Sequence, residues 1–190
     1  MEPLNGRLTV LREFRADDLD DYAAICGDDR VTDWMAFDSY DRAKAIEVLN
    51  GIIERSARPD RSDYMLAVTR RDDDHVIGFA RIAPGTPARA PWSAKLGYAV
   101  HADHWGRGYA TDAARVMLGF AFGTLRVHRV TAAIGPENEA SIAVVKRIGF
   151  SFEGHLRDHV FTNGAWRDSL LYSILETEYA DRSPAGHLEP

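Results

Sequence analysis

Seven consecutive residues, Trp105-Gly106-Arg107-Gly108-Tyr109-Ala110-Thr111, hold the most concentrated chemistry in this chain. Gly106 and Gly108 let the backbone turn tightly with no Cβ in the way, and the alanine-rich run after them has the composition of a helix start. Amide N–H groups in such a turn converge on one point, and a helix N-terminus adds partial positive charge there. A diphosphate suits that arrangement, with the Arg107 side chain and the Thr111 hydroxyl at hand. An ordinary tight turn has the same Gly-x-Gly, so the pair alone does not decide. A dinucleotide fingerprint wants a third glycine where Thr111 stands, and no Gly-x4-Gly-Lys-Ser/Thr is present, which removes P-loop nucleotide hydrolysis.

Other reactive residue types are scattered. His101-x-Asp103-His104 offers metal-ligand types in a connection that lacks a third partner at ligand spacing. His155 and His159 are four apart on a strand-like run, where about 13 Å of rise keeps them from sharing a metal. No metal site is expected. Cys26 is the single cysteine, so no disulfide can form within the chain, and its apolar neighbours mark it as a small buried residue.

The elements that must position the glycine segment follow from periodicity. Leu8–Phe14 reads as an opening strand, and Asp17 as the cap of a helix with Leu19, Tyr22, Ala23 and Cys26 on one face. Arg42–Ser56 reads as a second helix, with Ala45, Ile46, Leu49, Ile52 and Ile53 as its stripe. Between them Trp34, Met35 and Phe37 fit either core packing or the wall of a substrate pocket. Asp63–Thr69 and His75–Ile82 form a hairpin across a charged turn, and three prolines make 84–91 a loop. Lys95–Val100 is a strand in which Gly97 suggests a bulge or a close backbone approach. Ala110–Leu125 is helical, His128–Ile134 a strand, and Asn138–Arg147 a short helix stopped by Gly149. Phe152–Phe161 and Ala165–Leu175 close the chain as a hairpin, because Asn163-Gly164 takes the positive-φ turn that hairpins need. Strand–helix–strand units at the centre make the class mixed α/β. Residues 1–180 are expected to form one domain and 181–190 a flexible tail.

At 190 residues and a net charge of −6, the chain can bury a core, and it repels nucleic-acid backbones and anionic lipid surfaces, but not a cationic amine. The N-terminus lacks the basic and apolar regions of a signal peptide, and no apolar run approaches the roughly 20 residues that cross a bilayer. A cytoplasmic protein with neither nucleic acid nor membrane as partner is expected.

Leu96-Gly97-Tyr98, the Trp105–Thr111 segment, Asn138-Glu139-Ala140-Ser141 and Ile148-Gly149-Phe150 follow one another in the order and spacing of the GNAT N-acetyltransferases. The chain resembles their RimJ/RimL branch in particular, to which Glu153-Gly154 and Trp166-Arg167-Asp168 are also similar. The resemblance spans roughly Leu8 to Glu178. It implies the GNAT fold: a mixed, mostly antiparallel sheet of about seven strands with about four helices and a V-shaped splay between strands 4 and 5. It implies acetyl-coenzyme A as cosubstrate and direct transfer of acetyl to a primary amine, a protein N-terminus or a small molecule. A homodimer is among the assemblies open to it.

The residue roles carried over are these. The amides of Trp105, Gly106, Arg107, Gly108, Tyr109, Ala110 and Thr111 would hold the coenzyme diphosphate, Trp105 replacing the family's usual first residue. Tyr98, Ala99 and Val100 would pair with the pantetheine arm. Asn138 and Ser141 would lie beside the pantetheine and the sulfur, and Ser141 would protonate the departing thiolate. Three positions depart from the family: Val145 stands where many members have a tyrosine acid, Lys95 near the point of a glutamate base, and Val160 at the branch's own glutamate. Asp158, Glu153 and His159 are then candidate bases by position alone. The chemistry tolerates that loss, since a thiol of pKa about 8.5 leaves passably as thiolate and an α-amine of pKa about 7.7–8.0 is partly free at neutral pH. A non-catalytic acyl-coenzyme-A sensor, or an acetyltransferase for polyamines or antibiotics, are the competing readings.

Overall fold

The computed structural model describes residues 1–84 and 93–182. Its strands are β1 (Leu4–Asn5), β2 (Thr9–Arg12), β3 (Tyr64–Arg70), β4 (Val76–Pro84), β5 (Ser93–Val100), β6 (Arg129–Ile134), β7 (Ser151–Thr162) and β8 (Ala165–Leu175). The helices are α1 (Leu19–Cys26), α2 (Asp29–Thr32), α3 (Arg42–Ser56), α4 (Tyr109–Gly123), α5 (Glu139–Ile148) and α6 (Glu176–Arg182). All strands join one sheet in the order β1-β2-β3-β4-β5-β6-β8-β7, antiparallel except where β5 meets β6. This is the expected GNAT fold. Among the described residues, the two-residue β1 raises the strand count to eight and moves the splay to β5 and β6, while the short α2 and α6 raise the helix count to six.

Each face of the sheet carries its own core. On one face α4 and α5 cover Leu66, Val68, Ala80, Ile82 and Val130, and α4 is buried almost all round, with Ala114, Met117, Leu118 and Ala121 fully enclosed. On the other face α1 and α3 pack Tyr22, Ile25, Cys26, Leu49 and Ile52 against Ala67, Phe79 and Ala99. Ile46, expected in the α3 stripe, is 41% exposed, at the edge of the buried arc. Burial pushes the Cys26 thiol up to about 11, which fits an inert core residue.

Three local expectations are corrected. The first turn after β2 is a 3-10 turn over Ala16–Asp18, not an α-helix capped by Asp17. Asp18 is committed there: it accepts from the Arg15 amide at 2.7 Å and takes both terminal nitrogens of the buried Arg12 at 2.8 Å. Gly97 pairs in regular register with Arg81, and a Cβ on it would meet nothing, so it marks neither a bulge nor a close approach. The close approach belongs to Gly78 on the neighbouring strand, where a Cβ would meet the Ala99 carbonyl oxygen and the Val100 Cα at 3.0 Å. Helix α6 extends to Arg182, two residues into the expected tail. The prolines of 85–91 and Trp92 lie outside the described residues.

The closing hairpin is as expected. Asn163 and Gly164 take φ of 49° and 70°, the conformation that lets two right-twisted strands turn back on each other.

Candidate active site

The parallel partnership of β5 with β6 lasts three residues, Ser93 to Lys95 against Arg129 to Thr131. Beyond Lys95 the strands part, and a cleft of about 570 Å3 opens beside the C-terminal half of β5. Tyr98, Ala99 and Val100 form one wall, and Asn138, just before α5, and Ser141 in its first turn face them. The floor is the glycine segment and the start of α4: Trp105, Gly106, Gly108, Tyr109, Ala110 and Thr111. Of the residues expected to hold the coenzyme, Arg107 alone does not line the cleft with its neighbours; its side chain is exposed.

The backbone explains both glycines. Gly106 has φ 74° and Gly108 φ 85°, and Gly108 is the left-handed residue that launches α4. No atom crowds a Cβ at Gly106 and only Leu8 Cδ1 comes near one at Gly108, at 3.4 Å, so conformation, not lack of room, demands glycine. The first helical bond of α4 runs from the Asp112 amide to the Gly108 carbonyl at 3.0 Å. The amides of Tyr109, Ala110 and Thr111 therefore precede the helix ladder and are left for an anion.

Asp112 holds that helix end in place. Its carboxylate accepts from the amides of Arg7, Leu8 and Thr9 at 2.9–3.1 Å and from the Thr9 hydroxyl at 2.8 Å, tying α4 to the segment entering β2. Burial pushes its pKa up, but those four hydrogen bonds outweigh burial and hold it below the usual carboxylate range.

Across the splay, Asn138 caps α5 by accepting the Ser141 amide at 3.0 Å. The Tyr98 hydroxyl donates to the Ser141 carbonyl at 3.2 Å, a direct tie between β5 and α5. Burial pushes the Tyr98 phenol up to about 12, so it stays protonated and keeps donating. The Trp105 indole donates to the Val100 carbonyl at 2.7 Å, folding the glycine loop back onto the end of β5.

The remaining wall comes from Val31, Trp34 and Met35, which gives the 34–37 stretch its pocket-wall role for the first two of its apolar residues. Phe37 instead stacks on Tyr40, with centroids 4.7 Å apart. This wall is pinned from the far hairpin: Asp38 accepts from the Thr162 hydroxyl and the Asn163 amide, and Arg167 donates to the Asp33 carbonyl.

The base candidates named by position lie apart from the cleft. Glu153, Asp158 and His159 sit on β7, the edge strand, and none lines the cleft. Glu153 is occupied by Arg129 at 2.9 Å and by Ser173, whose hydrogen bond together with the arginine charge holds it below the usual carboxylate range. Asp158 is exposed at a register shift with φ 46°, its amide donating to Asp168 at 2.9 Å. His159 shares a hydrogen bond with Ser169 at 3.0 Å. Val145, at the family's acid position, is fully buried in the core.

Several cleft residues escaped sequence reasoning. Val144 and Arg147 follow Ser141 at steps of three along α5, a helical periodicity that names them once Ser141 is chosen. Glu137 and His104 line the cleft too, and His104 was visible only as part of a failed metal pattern. No cluster of metal-ligating side chains is found among the described residues. No helix among them is long and apolar enough to cross a membrane.

Residues 7–151 match the sequence profile of the Acetyltransferase (GNAT) domain. An uncharacterized N-acetyltransferase, p20, of Bacillus licheniformis is 28% identical over 181 residues, 95% of this chain and 99% of that protein. Among solved structures, RimJ of Mycobacterium smegmatis in complex with CoA-disulfide superposes with a TM-score of 0.79 at 26% identity, covering 98% of this chain and 93% of that one. Spermidine N-acetyltransferase of Vibrio cholerae, in complex with CoA and spermine, has a TM-score of 0.76 at 21% identity, covering 90% and 98%.

Proposed function

The chain belongs to the GNAT acetyltransferase family and is an N-acetyltransferase, and we propose that it transfers acetyl from acetyl-coenzyme A to a weakly basic primary amine such as a protein N-terminal α-amine. The observation that carries this reading is the cleft itself. It joins the three free amides at the start of α4, the unpaired edge of β5 and the Ser141 face of α5 in one 570 Å3 space. A diphosphate fits the first, an extended amide-bearing arm the second, and a sulfur the third. CoA in the M. smegmatis RimJ complex supports the same cosubstrate here. Residues 1–180 act as the transferase unit in this reading.

The residues divide the work. The amides of Gly106–Thr111 bind charge, and Tyr98, Ala99 and Val100 align the arm through backbone hydrogen bonds on the side of β5 that β6 leaves free. A β5 amide polarises the thioester carbonyl while the neutral amine attacks the carbonyl carbon. The C–S bond then breaks, the Ser141 hydroxyl passes a proton to the sulfur and regains one from water, and the nitrogen loses its extra proton to water, so that no net proton is left on the protein. Positioning and amide polarisation supply most of the rate.

None of the base candidates named by position, Glu153, Asp158 and His159, lines the cleft, where the carboxylates of Glu137 and Glu139 and the His104 ring stand instead. An acceptor that needs little deprotonation suits a site whose base is unassigned. Freeing a lysine amine of pKa about 10.4 at pH 7 costs about 4–5 kcal/mol, against about 1 kcal/mol for an α-amine. Trp34 and Met35 give such a substrate an apolar wall. The test compares one peptide blocked at its N-terminus with the same peptide blocked at its lysine, from pH 6 to 9. The free α-amine is expected to have the higher kcat/KM by a factor of ~100 or more, rising with pH towards 8; preference for the lysine overturns the reading.

A further inference from the structure

His104 ends the 3-10 turn Ala102–His104, directly before the glycine segment, and lines the cleft. Its Nδ1 is buried with no hydrogen-bond partner among the described residues. Nε2 is neither enclosed in that way nor engaged by any group among the described residues, so it is the ring nitrogen that faces the cleft's open space. The family reading gives this ring no task.

Its surroundings are cationic. Arg107 lies on the following loop, Arg70 at the end of β3, and His101 on the same turn with its ring centroid 6.1 Å away. Asp103 on the same turn opposes them, Asp72 and Asp73 pair with Arg70, and Asp28 lies 3.9 Å from His101. Glu137 and Glu139 line the same cleft, and Tyr109 of α4 packs edge-on at 6.3 Å. Burial first, then the charges of Arg107, His101 and Arg70, hold the ring below the ordinary histidine range, so it is neutral at pH 7 before any ligand arrives. Two arginines near an imidazole beside an anion cradle make a surrounding in which the charge of the ring responds to a bound anion.

We propose that His104 is a ligand of the coenzyme diphosphate that takes up a proton from solvent as the coenzyme binds, so that coenzyme affinity is set by pH through this one ring. Whichever nitrogen carries the hydrogen in the free protein, the imidazolium presents Nε2–H to the cleft. The diphosphate also offsets the charge of Arg107, removing part of the field that keeps the ring neutral. Both effects raise the His104 pKa in the complex. Affinity is then highest below the free pKa and weakens as pH rises from the free to the bound value, by tenfold for each unit separating them.

The inference rests on the coenzyme reading above, and the experiment separates the two. Dephospho-coenzyme A is the probe, because it keeps the diphosphate and lacks the 3′-phosphate, whose own titration near neutral pH would obscure the ring. Calorimetry at pH 5.5–8.5, in buffers of different ionisation enthalpy, reads affinity and protons together. The expected result is net proton uptake near pH 7 and a several-fold weakening towards pH 8.5, both lost in His104→Gln and both kept in His101→Gln. An NMR titration of the His104 ring with and without the probe gives the same answer in the unaltered protein if the variant does not fold. Binding without proton uptake, uptake that survives His104→Gln, or an unshifted ring overturns the inference and leaves the coenzyme reading standing. No binding of the probe by the folded protein overturns both.

Discussion

Gly108 is where a single residue decides most. Its φ of 85° costs any other L-residue about 1–2 kcal/mol, a loss a folded chain of this size survives. Gly108→Glu adds a carboxylate at the anion cradle as well, so coenzyme binding is expected to fall below detection in calorimetry while circular dichroism stays native. Unchanged affinity in a folded variant would remove this loop from the site. Ser141 is decided by its side chain, because its amide and carbonyl are already committed to Asn138 and Tyr98. Truncation to alanine leaves both backbone bonds intact and removes only the hydroxyl. Ser141→Ala is therefore expected to lower kcat about 10–100-fold, the low end for a proton donor, with coenzyme KM nearly unchanged. A loss expressed in KM alone would make the hydroxyl a binding group.

Among the elements, α4 depends on a partner more than a hundred residues away. Asp112 lies in its first turn, where a carboxylate already opposes the helix dipole favourably, and it also satisfies three amides of the chain entering β2. An asparagine keeps the size but loses the charge and one strong acceptor. Asp112→Asn is expected to cost about 2–4 kcal/mol in urea unfolding, the range for losing charge-assisted bonds in a buried place. The pH dependence has a definite sign. The folded pKa of Asp112 is depressed, so its contribution is complete above the unfolded value of about 3.9 and is lost as pH falls through the folded one. Wild type and Asp112→Asn should therefore converge in stability below pH 4, and a constant gap down to pH 2 would show that packing, not charge, holds the helix end.

For the whole molecule, the splay is a short seam of three paired residues and opens the cleft in which the proposed coenzyme site lies. Past Lys95 no backbone hydrogen bond joins β5 to β6; Tyr98 to Ser141 is a side-chain bond across the gap. A ligand touching β5, α4 and α5 together braces both sides. Acetyl-coenzyme A at a hundred times its Kd contributes about 2.7 kcal/mol to the folded state, and about 2–4 °C per kcal/mol gives a rise in Tm of about 5–10 °C. Nicotinamide dinucleotides should give none. A shift with NAD and none with acetyl-coenzyme A would end the acetyltransferase reading.

What the sequence determined by itself is local. Gly106 and Gly108, the Asn163-Gly164 turn, the alternation of β6 and the stripe of α4 each express a preference contained within a few residues, and each is found where the sequence puts it. The positive-φ turn at Gly106 and Gly108 was legible for the same reason, whereas the cap that Asn138 places on the Ser141 amide was not read from the sequence. Tertiary structure alone decided which distant segments meet. Nothing near Asp112 announces Arg7 to Thr9, and nothing near Gly97 says that its neighbour Gly78 makes the close approach. Glu153 and Asp158 have the right chemistry for a base, but strand order sends β7 to the sheet edge, away from the cleft. His104 gained its place by the converse route, because the fold wrapped Arg70 of β3 and Arg107 of the glycine loop around it. Turn and helix preferences act over single residues and short spans, whereas a site's charge and depth are sums over whatever the sheet brings together.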